Sequence, residues 1–181
     1  MPVAYRNGFS LIELVVALLI LGVMAIVLIP NFMGPGENQA REFSARLNEL
    51  TQVAWQNALL SHNVQRVMFD FNKRMVSVGE LTKKGDRPSQ DVFTPIKIVH
   101  VRTRLEIPEK IVFKNFFVDG KDELVGEKKR DAWFFIMPDG TAQSIVMNFV
   151  RRSDNEADEQ VGLVLNPLNA QFSLYATFQH P

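Results

Sequence analysis

The sequence predicts an α+β protein, a long N-terminal helix packed on antiparallel β-sheet. Three observations carry that prediction. The 21 residues from Phe9 to Ile29 are apolar except for Ser10, Glu13 and Gly22. The next long stretch, Glu37 to Ser61, repeats apolar residues at helical spacing. Most of the chain beyond Ser61 reads as short strands between turn residues. A run of helix and then a run of strands is the α+β pattern.

The chain has 181 residues, enough for one ordinary domain and an appendage. Twenty basic residues balance twenty acidic ones, so no charge excess argues for nucleic acid or an acidic substrate. With no cysteine, the chain has no disulfide framework, thiolate metal site or catalytic thiol.

The first element is the Phe9–Ile29 run. At 1.5 Å per residue it reaches roughly 30 Å, the thickness of a bilayer's hydrocarbon core. The segment before it, "MPVAYRNG", has Arg6 and no acid. Positive flanks stay cytoplasmic, which places the rest of the chain on the other side. A secretory signal peptide is the plainer reading, but its apolar region is shorter and ends at a small-residue cleavage site. "IPNFMGPG" has no clear site of that kind. A simple anchor explains length and orientation but not Glu13, because a carboxylate at the centre of a bilayer costs about 2.5–3.5 kcal/mol. Nearer a helix end the cost falls, yet an intramembrane acid still calls for a partner.

"NFMGPGEN" comes next, and Gly34, Pro35 and Gly36 predict a helix break over residues 31–36. A plain linker and a segment that bends during assembly are equally compatible with it. The second helix is expected from about Glu37 to Ser61. Phe43, Leu47, Leu50, Ala54 and Ala58 fall at spacings of three and four, a stripe expected to face a sheet rather than a partner helix.

Seven or eight strands are expected after it. They are Val64–Phe71 and Met75–Val78, joined by "NKR", then Ile96–Val101, Lys110–Phe117, Ala132–Met137, Ala142–Phe149 after the "PDGT" turn, Val161–Asn166 and Gln171–Phe178. Gly79–Asp91 reads as a charged loop, and "VDGKDELVGEKKRD" as a turn and an exposed loop.

Catalytic and metal chemistry has no motif here. His62, His100 and His180 are far apart and lack zinc-ligand spacing. No phosphate loop or nucleophile elbow is present. The four acids of Ser153–Glu159 lack the order and central glycine of a calcium loop. The basic clusters Glu127–Asp131 and Val150–Arg152 include or adjoin acids, unlike a nucleic-acid stripe. The expectation is a non-enzyme with no metal, no cofactor and no nucleic-acid partner.

Gly8 before "FSLIE" (Phe9 to Glu13), a short basic leader and an apolar run resemble the signal of type IV pilins and type II secretion pseudopilins. The resemblance covers about 25 residues and includes Pro30, where many of these proteins kink their helix. It implies a pilin-like fold whose long helix has a transmembrane half and an amphipathic half. It also implies that a prepilin peptidase cuts between Gly8 and Phe9 and methylates the new amino group of Phe9. Glu13 would then pair with the N-terminal charge of a neighbouring subunit. "MFDF", "FFIMPDGT" and "VGLVLNPLNAQFSLY" are similar to H-type minor pseudopilins, although many relatives have glycine where this chain has Pro167 and Asn169.

The implied organisation is a leader (1–8), a transmembrane assembly helix (9–30), a Gly/Pro break (31–36) and a periplasmic pseudopilin domain (37–181). The implied function is that of a structural subunit near the tip of the type II secretion pseudopilus, serving protein transport across the outer membrane. The alternative is a minor pilin of a type IV pilus, including a DNA-uptake version. Implied partners are other major and minor pseudopilins, the prepilin peptidase, the inner membrane and its assembly platform. The implied location is the bacterial inner membrane, single-pass, with the C-terminal domain in the periplasm.

Overall fold

The computed structural model describes residues 11–32, 35–85, 91–96, 102–125, 131–152 and 157–181, with side chains left out over 25–38. Two helices and ten strands are described. The chain divides into two compact units at Asn38, and the second runs from Gln39 to Pro181.

In the first unit, helix α1 spans Leu11–Phe32 and continues through Pro30. Helix α2, Pro35–Ser61, starts two residues earlier than its apolar stripe indicates. Residues expected in the break therefore belong to helices: Asn31 and Phe32 to α1, Pro35 and Gly36 to α2. The physical reason is positional. Proline disrupts a helix interior but suits the first helical position, where its missing N–H has no intrahelical acceptor to reach.

The second unit holds two antiparallel sheets. In the first, β3 (Val92–Pro95), β2 (Met75–Lys83), β1 (Gln65–Asp70) and β7 (Asp131–Ile136) lie in that order, and β4 (Arg104–Glu106) pairs with the start of β2. In the second, the order is β10 (Gln171–Tyr175), β9 (Glu159–Asn166), β8 (Ile145–Arg151), β5 (Ile111–Val118) and β6 (Lys121–Asp122). Three short edge strands, β3, β4 and β6, have no counterpart among the expected strands. β2 also runs to Lys83, into what reads as loop, because β3 pairs its far half. Most of the expected strand Ile96–Val101 lies outside the described residues.

The α2 stripe is the centre of the core. Ala40, Phe43, Leu47, Leu50, Ala54 and Ala58 are at most 2 % exposed. Rings join the layers. Phe43 meets Phe149 of β8 edge-on at 6.1 Å. Phe69 of β1 meets Phe116 of β5 at 5.1 Å, and Phe134 of β7 meets Phe172 of β10 at 6.2 Å. Such edge-to-face pairs add about 0.5–1.5 kcal/mol beyond burial of area. β1 alternates with period two, with Gln65, Val67 and Phe69 inward.

Polar side chains close the joints. Asn48 of α2 accepts from Phe172 N–H at 2.6 Å and donates to Phe172 O at 2.9 Å, satisfying the edge of β10 as another strand would. One turn on, Gln52 Nε2 donates to Asn169 O at 2.5 Å, beside Ala170, which holds a left-handed φ of 50°. The last turn thus makes its bend without glycine. Trp55 Nε1 donates to Gly140 O at 2.7 Å in the "PDGT" turn. Arg74, at the end of the β1–β2 turn, donates to the carbonyls of Ile107, Pro108 and Ile111 and so ties the two sheets' connection in place.

All seven residues of β8 are buried, on both faces. The C-terminal tail explains the outer one. Asn148 accepts from Gln179 N–H and donates to Gln179 O, both at 2.9 Å. Gly162 stands opposite Asn148 on β9, and a Cβ there would lie 2.5 Å from Thr177 O and 2.7 Å from Gln179 Cγ. The tail therefore crosses where one strand has an amide and the next has no side chain.

This packing can be probed in two ways. Gly162→Ala pushes the tail off β9 or strains it, a cost of about 1–3 kcal/mol typical of overpacking. Urea unfolding of the Gln39–Pro181 domain should show the lower midpoint, and proteolysis should trim the C terminus faster. The second probe is pH. The Lys73 N–H, with the Lys73 ammonium helping, holds the Asp70 carboxyl below its ordinary value near 3.8. The Thr141 N–H and hydroxyl do the same for Asp139. A carboxyl depressed in the fold adds stability above its unfolded pKa and loses it as pH falls through the folded value. The double variant Asp70→Asn, Asp139→Asn should therefore lose less stability than wild type between pH 4 and pH 2, roughly the window below the ordinary carboxylate pKa.

Candidate functional site

The candidate site is α1. Leu, Ile, Val and Ala carry nearly all of it, so no face is polar. The large apolar side chains from Leu11 to Met24 are 48 % to 83 % exposed. A helix apolar on every side is stable only where lipid or other protein covers it. Gly22 has nothing within 4 Å of the position a Cβ would take. Its lack of a side chain leaves a place where another helix can approach closely.

Glu13 sits in the first turn of α1 and is exposed. There its carboxylate faces the positive end of the helix dipole, a favourable interaction of about 0.3–1 kcal/mol at an exposed site. That contribution is small beside the cost of placing an unpaired carboxylate in lipid. Gly8 and Phe9, the expected cleavage and methylation positions, lie outside the described residues. Pro30 lies within α1, its side chain outside the described set.

Among the described residues, no helix is long and apolar enough to cross a membrane. Side chains of α1 are described over residues 11–24. That part rises about 21 Å, against a hydrocarbon core of about 30 Å. The backbone helix of 22 residues would rise about 33 Å.

Elsewhere, the described residues hold no group of His, Asp and Glu able to bind a metal. His62 caps the end of α2 at φ 55°, His180 is exposed in the tail, and His100 is outside the described residues. Residues 153–156 and 126–130, most of the acidic and basic loops, are also outside. In the second basic cluster only Arg152 is exposed. Arg151 is 7 % exposed and its Nε donates to Glu159 Oε2 at 2.8 Å across the β8–β9 pair. Val150 is buried too. The pairing of β8 with β9 that buries Arg151 joins residues eight apart, so sequence adjacency alone does not reveal it.

The family described as "Prokaryotic N-terminal methylation motif" matches residues 4–29. No curated protein matches the chain. One structure of the minor pseudopilin EpsH from the type II secretion system of Vibrio cholerae covers 81 % of this chain and 96 % of its own, at 18 % identity and a TM-score of 0.50. A second structure of EpsH covers 78 % and 96 %, at 16 % identity and a TM-score of 0.49. The chain thus joins a prepilin-type N-terminal methylation motif to a domain with the minor-pseudopilin fold.

Proposed function

We propose that this protein is a minor pseudopilin, a structural subunit near the tip of a type II secretion pseudopilus. The observation that carries the reading is the exposed apolar run of α1 from Leu11 to Met24, interrupted by Glu13 in its first turn and lying within the methylation motif. A prepilin peptidase cuts after Gly8 and methylates Phe9. Residues 9–30 anchor the subunit in the inner membrane and then pack against other pseudopilins. The domain beyond them lies in the periplasm and selects neighbours, and the assembly platform extracts the subunit from the membrane.

Glu13 acts as a register device in this scheme. In low dielectric a carboxylate and an N-terminal ammonium attract strongly, and either alone is penalised. A neighbour one step out of register leaves both charges unpaired, so the pair selects an axial offset whether or not it adds net stability. The fold shared with an EpsH structure is the reason to favour a secretion role over a type IV pilus.

The test uses Glu13→Leu in cells that secrete through a type II system. The variant should insert into the membrane and be processed, with the mass of the mature chain starting at methylated Phe9. Its recovery in cross-linked complexes with other pseudopilins should fall at least tenfold. Wild-type recovery would remove the ion-pair role, and an unprocessed chain in wild type would remove the prepilin reading.

A further inference from the structure

Helix α2 has two unlike flanks. On one, Asn48 and Gln52 bond the backbone of β10 and its turn. On the other, the helix faces β4 across an open groove. The groove consists of two confluent hollows of about 270 Å³ and 470 Å³ that share Arg46, Leu105 and Glu106. Its floor is apolar, made by the buried Phe43, Leu50 and Leu105. On the helix wall, Glu42 and Arg46 pair with each other at 2.6 Å.

The opposite wall is a strand edge. β4 reaches β2 through Thr103 O, which accepts from Val78 N–H, and through Ile107 N–H, which donates to Arg74 O. Backbone groups alternate sides along a strand, so the N–H and C=O of Arg104 and Glu106 point away from β2, along the free edge beside the groove. Among the described residues β4 pairs with no strand other than β2. An unpaired edge above an apolar floor is suited to an added strand, in which main-chain bonds give affinity and alternate side chains give specificity.

The charges define that strand. We propose that the groove docks an extended segment of another polypeptide, antiparallel to β4, with the pattern basic–apolar–acidic. Its basic residue stands opposite Glu106 and its acid opposite Arg104. Its central apolar side chain points the same way as Leu105, onto the floor. Opposite charges directly across a sheet are favourable and like charges are not, so the reversed pattern is rejected. This surface belongs to the domain and does not depend on the role of α1 in a filament.

The probe is a labelled peptide, Ser-Thr-Lys-Val-Glu-Thr-Ser, titrated against the full chain in detergent and compared with Ser-Thr-Glu-Val-Lys-Thr-Ser. Wild type should bind the first at least tenfold more tightly by anisotropy, and bound peptide should slow amide exchange at Arg104 and Glu106. The double variant Arg104→Glu, Glu106→Arg, on exposed positions, should reverse the preference while leaving the circular dichroism spectrum unchanged. Equal binding, no binding, or a preference unmoved by the double variant would overturn the proposal. The β4 sequence Arg104-Leu105-Glu106 itself has the basic–apolar–acidic pattern. A concentration-dependent dimer abolished by Glu106→Arg alone would therefore also overturn it, by giving the groove to a second copy.

Discussion

The domain depends on one helix burying a single apolar stripe against two sheets. Phe43, Leu47, Leu50, Ala54 and Ala58 leave no gap along four turns of α2. The residues narrow from Phe to Ala along the helix, so the sheets are free to approach most closely near its C-terminal end. There Trp55 and Asn57 bond the other layer directly, through Gly140 O and Glu80. Where the stripe is bulkier, aromatic rings fill the space between β5, β8 and the helix. Large-to-small changes in such a stripe typically cost 2–5 kcal/mol, a large share of a domain's whole stability.

Two sheets bring several edges and two outer faces, and the chain deals with them unevenly. The edge of β10 is capped by Asn48, whose amide does the work of a neighbouring strand. The outer face of β8 and β9 is closed by the tail, through Asn148 and Gly162. Exposed edges invite pairing with other chains, so each closure narrows the contacts available to a partner. Open surface among the described residues includes the edge of β4 and, on the outer face of the first sheet, Trp133 at 42 % exposure. The Arg66 guanidinium lies over Phe93 there, 4.2 Å from the ring centre, and burial lowers its pKa.

α1 poses the opposite problem. Its apolar side chains exceed anything a chain exposes to water without cost, since burial is worth about 25 cal/mol per Å². The dipole of the helix accommodates Glu13 only in part. The unmet needs of the helix are apolar cover along its length and a positive charge near its start. A membrane supplies the first. In the assembly proposed above, a neighbouring subunit with a free N-terminal ammonium would supply both, so that one segment would serve as anchor and as assembly surface.

Local signals in the sequence are enough to determine the two helices, the stripe on α2, the alternation of β1 and most of the longer strands. They are enough because period and turn chemistry act over a few residues. The N-terminal methylation motif over residues 4–29 is legible for the same reason: it is a short linear segment. The short strands β3, β4 and β6 are not legible, because two to four residues carry no period and exist only as partners of β2 and β5. Nor is the burial of Arg151, set by a partner eight residues away across a strand pair. The roles of Asn148 and Gly162 need the tail, which reaches them from Thr177 and Gln179. The sequence by itself determined which segments form and where a processing motif lies. Only the tertiary structure decided which edges and faces are closed, because that depends on which distant backbone groups come within hydrogen-bond reach of one another.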